Sequence, residues 1–300
     1  MLKILTKTLI FIALMACSIL SVAAKVPAFD RVYAFGDSLS DNGNLYKIRK
    51  GKEPASPPYY RGRFSNGPVW VEDLTDKLGL QPNALVDYAI GGAQTKAWIF
   101  PSNHLNNQIK RFANQHDSAS PTALYTVWIG ANNYFFHPNS SDKRVHKTVN
   151  QIVESIDTLA GMGAKVFIVP NLPDLGKTPM ARKQQAKKHD GYDKKVSHLS
   201  QLHNQLLKPA LAELATRDNI TIIQLDTNKL FNDAIASPKA FEVTNVTEPC
   251  YQGNFKGKPK NSTICTHPNH YIFWDIAHPT ARIHREIAQY AYAGLQSSLK

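Results

Sequence analysis

The chain has 300 residues, of which 43% are hydrophobic, 10% aromatic and 19% charged. This composition supports a sizeable core and excludes wholesale disorder, a collagen-like repeat and low complexity. The 35 Lys and Arg residues outnumber the 23 Asp and Glu residues and give a formal net charge of +12. Such a charge is typical of proteins that bind an anionic membrane surface or a nucleic acid, but it can also serve only to keep the protein soluble. Since no aromatic-rich RNA-binding motif or zinc-finger spacing occurs, we expect no nucleic-acid partner.

The first 24 residues have the layout of a secretory signal peptide. Lys3 and Lys7 precede an apolar run over residues 9–20, and the small residues Ala23 and Ala24 follow it. The alternative, an uncleaved membrane anchor, would rest on an apolar stretch that is short for a membrane span. We therefore predict cleavage near Ala24 and export of residues 25–300 as a single domain, extracellular or periplasmic in transit.

Cysteine usage agrees with an exported chain. Cys17 leaves with the signal peptide, so Cys250 and Cys265 remain as one pair in an oxidising compartment. A disulfide between them would close the loop 251–264 and contribute about 3 kcal/mol on the loop-entropy model. Two unpaired buried thiols are the alternative. An oxidised pair offers no thiolate and the spacing fits no zinc pattern, so we expect no metal and no cofactor.

Apolar segments rich in β-branched and aromatic residues alternate with segments of helical period. Five buried strands are predicted, at residues 32–35, 85–90, 124–129, 165–169 and 220–225. Helices are predicted at residues 68–78, 105–115, 145–159 and 190–216, with a last helix that has Pro279 in its first turn. This alternation indicates an α/β fold with a parallel sheet covered on both faces. Residues 237–272 break it and are interpreted as a long functional insertion before the last helix.

Three of the predicted strands end in residues suited to catalysis. Ser38 follows the first strand, where it could act as a nucleophile or cap a helix. The second strand ends in Gly91 and Gly92, and the third is followed by Asn132 and Asn133. The carboxyl ends of parallel strands share one edge of a sheet, so these groups should meet there. Glycine pairs and asparagines are common in turns, but together these residues resemble an oxyanion hole.

A fourth motif lies near the C-terminus, at Asp275 and His278. A separation of three residues lets the carboxylate turn back and bond the imidazole, although an Asp cap beside a surface histidine would give the same pattern. Of the 11 histidines, only His278 has an aspartate at this spacing beside the last helix. The others are interpreted as surface or packing residues, and Asp37 and Asp41 as residues that hold the turn.

These motifs carry a family resemblance. In order, residues 36–41, 91–92, 130–132 and 275–278 resemble the four sequence blocks of the GDSL lipases/esterases, or SGNH hydrolases. Residues 62–67 and 171–179 are similar to linking motifs of the larger members, so the resemblance covers about residues 31–295. The strongest likeness is to secreted bacterial lysophospholipases A and glycerophospholipid:cholesterol acyltransferases.

The resemblance implies a three-layer α/β/α, flavodoxin-like fold with a five-stranded parallel sheet. It also implies that Ser38 is the nucleophile, His278 the general base and then acid, and Asp275 the residue that orients His278. The amides of Ser38 and Gly92 and the side chain of Asn132 would form the oxyanion hole, with Gly91 as the alternative to Gly92. Many members have Asp where this chain has Asn133.

The expected function is that of a secreted serine esterase acting on acyl esters of (lyso)phospholipids, with acyl transfer to another alcohol as an added expectation. A carbohydrate acetylesterase of the same fold and a non-catalytic surface-binding module are the alternatives. The basic residues within 177–195 would face a membrane or micelle surface, or only solvent. The segment between Cys250 and Cys265 is expected either to restrict access to Ser38 until an extracellular protease cuts it, or to act as a passive staple.

Overall fold

The computed structural model describes residues 28–96, 103–257 and 261–299. The predicted signal peptide, residues 1–24, lies outside these ranges. Among the residues that are described, no helix is long and apolar enough to cross a membrane.

A five-stranded parallel sheet forms the centre of the molecule, as predicted. Its strands follow the chain in the order β2-β1-β3-β4-β5, and every neighbouring pair is parallel. β1 and β3 are buried along their whole length, which explains why both are continuously apolar in sequence. The five strands are β1 (Val32–Gly36), β2 (Leu85–Asp87), β3 (Leu124–Trp128), β4 (Val166–Pro170) and β5 (Thr221–Leu225).

Strand β2 is shorter than the predicted segment 85–90. The Asp87 carboxylate accepts the backbone N–H groups of Ala89 and Asn42, at 2.8 and 2.7 Å. An aspartate that bonds a backbone amide two residues further on turns the chain and competes with strand pairing. The strand therefore ends at Asp87, although the amides of Tyr88 and Ile90 still donate to β1.

Helices cover both faces of the sheet and complete three α/β/α layers. On one face, α2, α8 and α9 bury a core that includes Trp70, Trp128 and Ile283. On the other face, α3, α5 and α7 bury a core that includes Phe112 and Phe167. The helices are α1 (Asn44–Ile48), α2 (Trp70–Lys77), α3 (Leu105–Gln115), α4 (Ala131–Phe135), α5 (Asp142–Gly161), α6 (Pro179–Lys188), α7 (Tyr192–Asp218), α8 (Thr227–Ala236) and α9 (Ala281–Ser298).

The helix prediction was wrong about the start of the last helix, and it missed α1, α4, α6 and α8. The last helix begins at Ala281, and Pro279 precedes it in an extended bridge to Phe273. Helix α8 was missed although a signal was present, because Asp226 caps it by accepting the N–H of Lys229 at 3.0 Å. Its apolar residues, Leu230, Phe231 and Ala234, face the core.

The segment 237–272 contains short strands and turns that lead into the last motif. β6 (Asn245–Pro249) pairs in parallel with β9 (Tyr271–Phe273), and β7 (Tyr251–Gln252) pairs antiparallel with β8 (Thr263–Ile264). The predicted disulfide joins Cys250 to Cys265. The amides of Cys250 and Tyr251 donate to the carbonyls of Phe273 and Trp274. The disulfide hairpin is therefore attached to the residues directly before Asp275.

Candidate active site

The carboxyl end of β1 places Ser38 at the edge of the sheet. A Cβ atom at Gly36 would overlap the carbonyl oxygen of Trp128 on β3, so only glycine lets the two strands approach this closely. The buried side chain of Gln108 accepts the N–H of Gly36 at 2.9 Å and donates to its carbonyl at 2.7 Å. Both hydrogen bonds fix the strand end from which the chain turns into Asp37 and Ser38.

Ser38 does not cap a helix. The first following helix begins only at Asn44, and the carboxylate of Asp41 accepts the N–H groups of Gly43, Asn44 and Leu45 at its start. The hydroxyl of Ser38 is therefore left for other contacts, and the interpretation of Asp41 as a residue that holds the turn agrees with the structure.

Ser38, His278 and Asp275 form a continuous hydrogen-bonded row. The Oγ atom of Ser38 lies 2.8 Å from Nε2 of His278. The Nδ1 atom of the same imidazole lies 2.8 Å from Oδ2 and 2.9 Å from Oδ1 of Asp275. The three residues are only 6%, 7% and 3% exposed, respectively. His278 is thus not a surface histidine, and its two ring nitrogens bridge a hydroxyl and a carboxylate that lie 237 residues apart.

Asp275 has a hydrogen-bond donor at each oxygen. Its Oδ1 atom accepts the backbone N–H groups of Ala277 and His278, both at 2.8 Å. Its Oδ2 atom accepts the hydroxyl of Tyr59 at 2.7 Å. Burial alone would raise the pKa of Asp275, but the His278 imidazole and these donors outweigh burial and hold the pKa below its ordinary value. The carboxylate is therefore ionised beside His278 at neutral pH.

The loop after β2 and the start of α4 face the same cleft as Ser38. Gly91 is buried and its N–H donates to the Asp41 carboxylate at 2.7 Å. Gly92 is exposed, has a φ angle of +77° and leaves open space where a Cβ would lie. The side-chain amide of Asn132 donates to the carbonyl of Ala93 at 3.0 Å and lies 3.4 Å from the Asp37 carboxylate.

Asn133 supports the loop that carries Gly92. Its Oδ1 atom accepts the N–H of Thr95 at 3.1 Å, and its Nδ2 group donates to the Thr95 hydroxyl at 3.0 Å. The Asn133 amide thus accepts one hydrogen bond from Thr95 and donates another to it, whereas an ionised carboxylate has no proton to donate. The departure from Asp at this position is explained by that pair of contacts.

A mostly apolar cleft of about 330 Å³ opens over the Ser38 hydroxyl. Gly92, Asn132 and His278 line it together with Ser38. Charged groups at its rim include Arg49, Glu53 and Lys177. The large apolar side chains of its lining are Leu39, Leu45, Phe64, Phe135, Phe136, Leu175, Met180, Phe231, Ile235, Phe255 and Phe273. A cleft of this kind can take up a hydrocarbon chain with its polar end next to Ser38.

A match to a known family accompanies this geometry. Residues 32–291 match the family described as GDSL-like Lipase/Acylhydrolase. The chain belongs to this family. GDSL lipases and acylhydrolases act on ester bonds, so the protein is an enzyme, an ester hydrolase. This membership excludes the surface-binding module without catalysis that the sequence left as an alternative.

The chain is similar to two relatives and to one solved structure. A phosphatidylcholine-sterol acyltransferase from Aeromonas hydrophila is 35% identical over 260 residues, which cover 83% of this chain and 74% of that protein. A thermolabile hemolysin from Vibrio parahaemolyticus is 26% identical over 87% of this chain, and the match spans 62% of the hemolysin. A carbohydrate acetylesterase structure from Sinorhizobium meliloti aligns with 90% of this chain and 99% of its own, at 15% identity and a TM-score of 0.48.

Two further buried histidines of this GDSL enzyme pack in the core, as predicted. Burial lowers the pKa of His203 to about 3, and its Nδ1 atom lies 2.8 Å from the hydroxyl of Tyr134. Burial and then the charge of His278 lower the pKa of His284 to about 3. Both rings are neutral at physiological pH and neither lines the cleft. Neither contacts Ser38.

Sequence reasoning missed Gln108, Tyr59 and Phe64. Gln108 lies within a predicted helix that carries several other polar residues, so nothing in the sequence distinguishes it from them. Tyr59 and Phe64 lie in a stretch without periodicity, yet the Phe64 ring lies 4.9 Å from the His278 ring. Only the motif at residues 62–67, which contains Phe64 and follows Tyr59, indicated that this segment matters, without giving either residue a role.

Proposed function

We propose that this GDSL hydrolase is a serine esterase that cleaves acyl esters of (lyso)phospholipids through Ser38, His278 and Asp275. The observation that carries the proposal is the 2.8 Å contact between Ser38 Oγ and His278 Nε2 on the floor of an apolar cleft. A serine hydroxyl becomes a strong nucleophile only when a base takes its proton, and a neutral imidazole suits that task near neutral pH.

In the proposed reaction, His278 Nε2 accepts the Ser38 proton while Oγ attacks the acyl carbonyl carbon. The carbonyl oxygen becomes an oxyanion, and the ionised Asp275 stabilises the imidazolium. The tetrahedral intermediate collapses as His278 returns the proton to the leaving alcohol oxygen, so an acyl-serine remains. Water, or another alcohol in an acyl transfer, then attacks the acyl-serine with His278 again as base, and the fatty acid or a new ester leaves.

We assign the oxyanion hole to the backbone amides of Ser38 and Gly92 and the side-chain amide of Asn132. The Gly91 amide already donates to Asp41, which supports Gly92 as the second donor. The exposure of Gly92 and its open surroundings leave room for a substrate oxygen. Asn132 has two amide protons. It can keep its bond to Ala93 and turn the second proton from the Asp37 carboxylate, which lies 3.4 Å away, to the oxyanion.

Asn132→Ala is expected to lower kcat on the order of 10²- to 10³-fold with a smaller effect on KM, because the donor acts mainly on charge that develops in the transition state. Steady-state kinetics on a lysophospholipid measure both constants. Asn150→Ala, on the exposed side of α5, serves as the matched control. A raised KM with unchanged kcat would instead make Asn132 a substrate-positioning residue.

The apolar cleft supports a long acyl chain over an acetyl group as the transferred part. Eleven large apolar side chains line a volume of about 330 Å³, whereas an acetyl group would leave most of this surface in contact with water. The similarity to a phosphatidylcholine-sterol acyltransferase also favours phospholipids. The acetylesterase alternative remains for the assay to decide.

Two measurements test the proposal. A fluorophosphonate probe, which reacts only with activated serines, should label the protein at Ser38. Fatty-acid release from a long-chain lysophosphatidylcholine should exceed acetate release from an acetylated sugar. Labelling at another serine contradicts the triad, and a preference for the sugar ester favours the acetylesterase.

We also propose that the protein is exported and works at a membrane or micelle surface. The disulfide supports an oxidising compartment, where the predicted signal peptide would direct the chain. Helix α6 presents Lys183, Lys187 and Lys188, all exposed, while Lys177 donates to Asn232 at 2.6 Å. N-terminal sequencing of the exported protein should find Lys25 first.

Proteolysis between Cys250 and Cys265 is expected to raise lysophospholipid hydrolysis. Phe255, in this loop, lines the cleft and its ring lies 5.6 Å from that of His278, so the loop partly covers the site. Asn254 and Lys256 beside it are exposed to a protease, while Lys258 and Lys260 lie outside the described residues. Activity is measured before and after limited proteolysis, with mass spectrometry to locate the cut. Unchanged activity after a cut in this loop leaves only the passive staple.

A further inference from the structure

The hydroxyl of Tyr59 reaches the carboxylate of Asp275 from a distant part of the chain. It donates to Oδ2 at 2.7 Å, and the two residues are 216 positions apart. Both side chains are nearly inaccessible, with exposures of 2% for Tyr59 and 3% for Asp275. The same Oδ2 atom lies 2.8 Å from His278 Nδ1, so one carboxylate oxygen faces both donors.

The Tyr59 ring is held in place on several sides. It packs edge to face against Tyr251, Phe64 and Trp274, with ring centres 5.5, 6.0 and 6.4 Å away. Its backbone is tied at both ends, because its N–H donates to Ala55 and its carbonyl accepts the Ser56 hydroxyl at 2.7 Å. A ring packed in this way cannot rotate its hydroxyl away from Asp275 without disturbing the surrounding aromatic side chains.

The surroundings also hold Tyr59 in its neutral, donating form. Burial, followed by the negative charge of Asp275, raises the pKa of the Tyr59 hydroxyl far above its ordinary value. A neutral phenol that donates a hydrogen bond to a carboxylate withdraws part of the carboxylate's negative charge. The carboxylate then attracts the imidazolium of His278 less strongly than an unshared carboxylate would.

We propose that Tyr59 is a positioning residue that orients the Asp275 carboxylate and, by sharing its charge, limits the basicity of His278. This inference rests on the proposed triad of Ser38, His278 and Asp275. Without the Tyr59 hydroxyl, Asp275 directs more charge at His278, so the imidazole holds its proton to higher pH. Because only the neutral imidazole can act as a base, the loss of activity on the acid side begins at a higher pH.

Other titratable groups face the Asp275–His278 pair and also contribute to the pH dependence of activity. Burial raises the pKa of Asp37 to about 7, although the Leu39 amide and the charge of His278 oppose this. Asp37 therefore titrates near neutral pH. Burial and the charge of Asp275 raise the pKa of Tyr251, and the neutral His284 lies near His278. All three remain in place when Tyr59 is changed, so the difference between variants reports on the Tyr59 hydroxyl.

The test compares the pH dependence of kcat/KM for the wild type and Tyr59→Phe, which keeps the ring and removes only the hydroxyl. The acid limb of the Tyr59→Phe profile should move to higher pH by about half a unit or more. Relative to the wild type, kcat/KM would then fall roughly threefold more at acidic than at basic pH. KM should change little. Tyr125→Phe is the matched control, because it removes another buried tyrosine hydroxyl, which donates to Ser120 at 3.0 Å away from Asp275. Its profile should equal that of the wild type.

A second variant guards against a folding defect in Tyr59→Phe. A fluorinated tyrosine at position 59 keeps the hydroxyl and makes it a stronger donor, so the acid limb should move in the opposite direction, to lower pH. An unmoved acid limb in both variants, or an equal loss at every pH, overturns the role of Tyr59. Ser38→Ala is measured in parallel: if it stays active, the proposed triad fails, whereas an inactive Ser38→Ala beside unmoved Tyr59 profiles refutes only the role of Tyr59.

Discussion

Replacement of Ser38 by alanine is expected to abolish ester hydrolysis, lowering kcat by at least about 10⁴-fold. The hydroxyl is the only polar group of this side chain, and its Oγ atom lies 2.8 Å from Nε2 of His278 within the cleft. Removing it takes away the proposed nucleophile without opening the core, so the thermal unfolding midpoint should stay close to that of the wild type. Hydrolysis of a long-chain lysophosphatidylcholine and a thermal melt measure the two effects.

His278→Ala should be as inactive as Ser38→Ala, and the double variant hardly worse than either, because residues that act as one unit have non-additive effects. Ser297→Ala, on the exposed face of α9, controls for the substitution itself. Near-normal turnover in Ser38→Ala would refute the triad. So would a double variant whose loss is the product of the two single losses.

Asp275→Asn is expected to lower kcat by up to about 10⁴-fold. The carboxylate holds the proton of the imidazole on Nδ1 and leaves Nε2 free to accept from Ser38. An amide that turns its NH₂ group to Nδ1 would favour the other tautomer, in which Nε2 carries the proton and cannot act as base. The lost negative charge would also leave the imidazolium without a partner inside the protein.

The effect is measured as kcat under saturating lysophospholipid, together with the thermal midpoint. Asp233→Asn is the matched control, because this exposed carboxylate pairs only with Lys229 on the same helix. A kcat for Asp275→Asn within tenfold of the wild type would show that Asp275 does not orient His278. In that case, the 2.8 Å contact to Nδ1 would be only a turn-stabilising interaction.

The central sheet and the catalytic candidates could be predicted from the sequence because their signals are local. A strand buried on both faces is a short, mainly apolar run, and such runs located β1, β3 and β4. The apolar residues that located β5 belong to an edge strand in which Gln224 is exposed. Asp275 and His278 are three residues apart, so one turn of chain is enough to bring them together. The disulfide followed from counting, since two cysteines remain after the predicted signal peptide.

Contacts between distant segments decided the rest. The family resemblance favoured Gly92 as the oxyanion donor and kept Gly91 as the alternative, and the bond from Gly91 to Asp41, 50 residues away, supports that choice. The sequence also left Ser38 open as a helix cap, and the carboxylate of Asp41 takes that place. Tyr59 has no pattern in its own segment, and its bond to Asp275 exists only once the strands and the disulfide hairpin have packed together. A single sequence records spacing along the chain, whereas hydrogen bonds and ring contacts depend on distance in space.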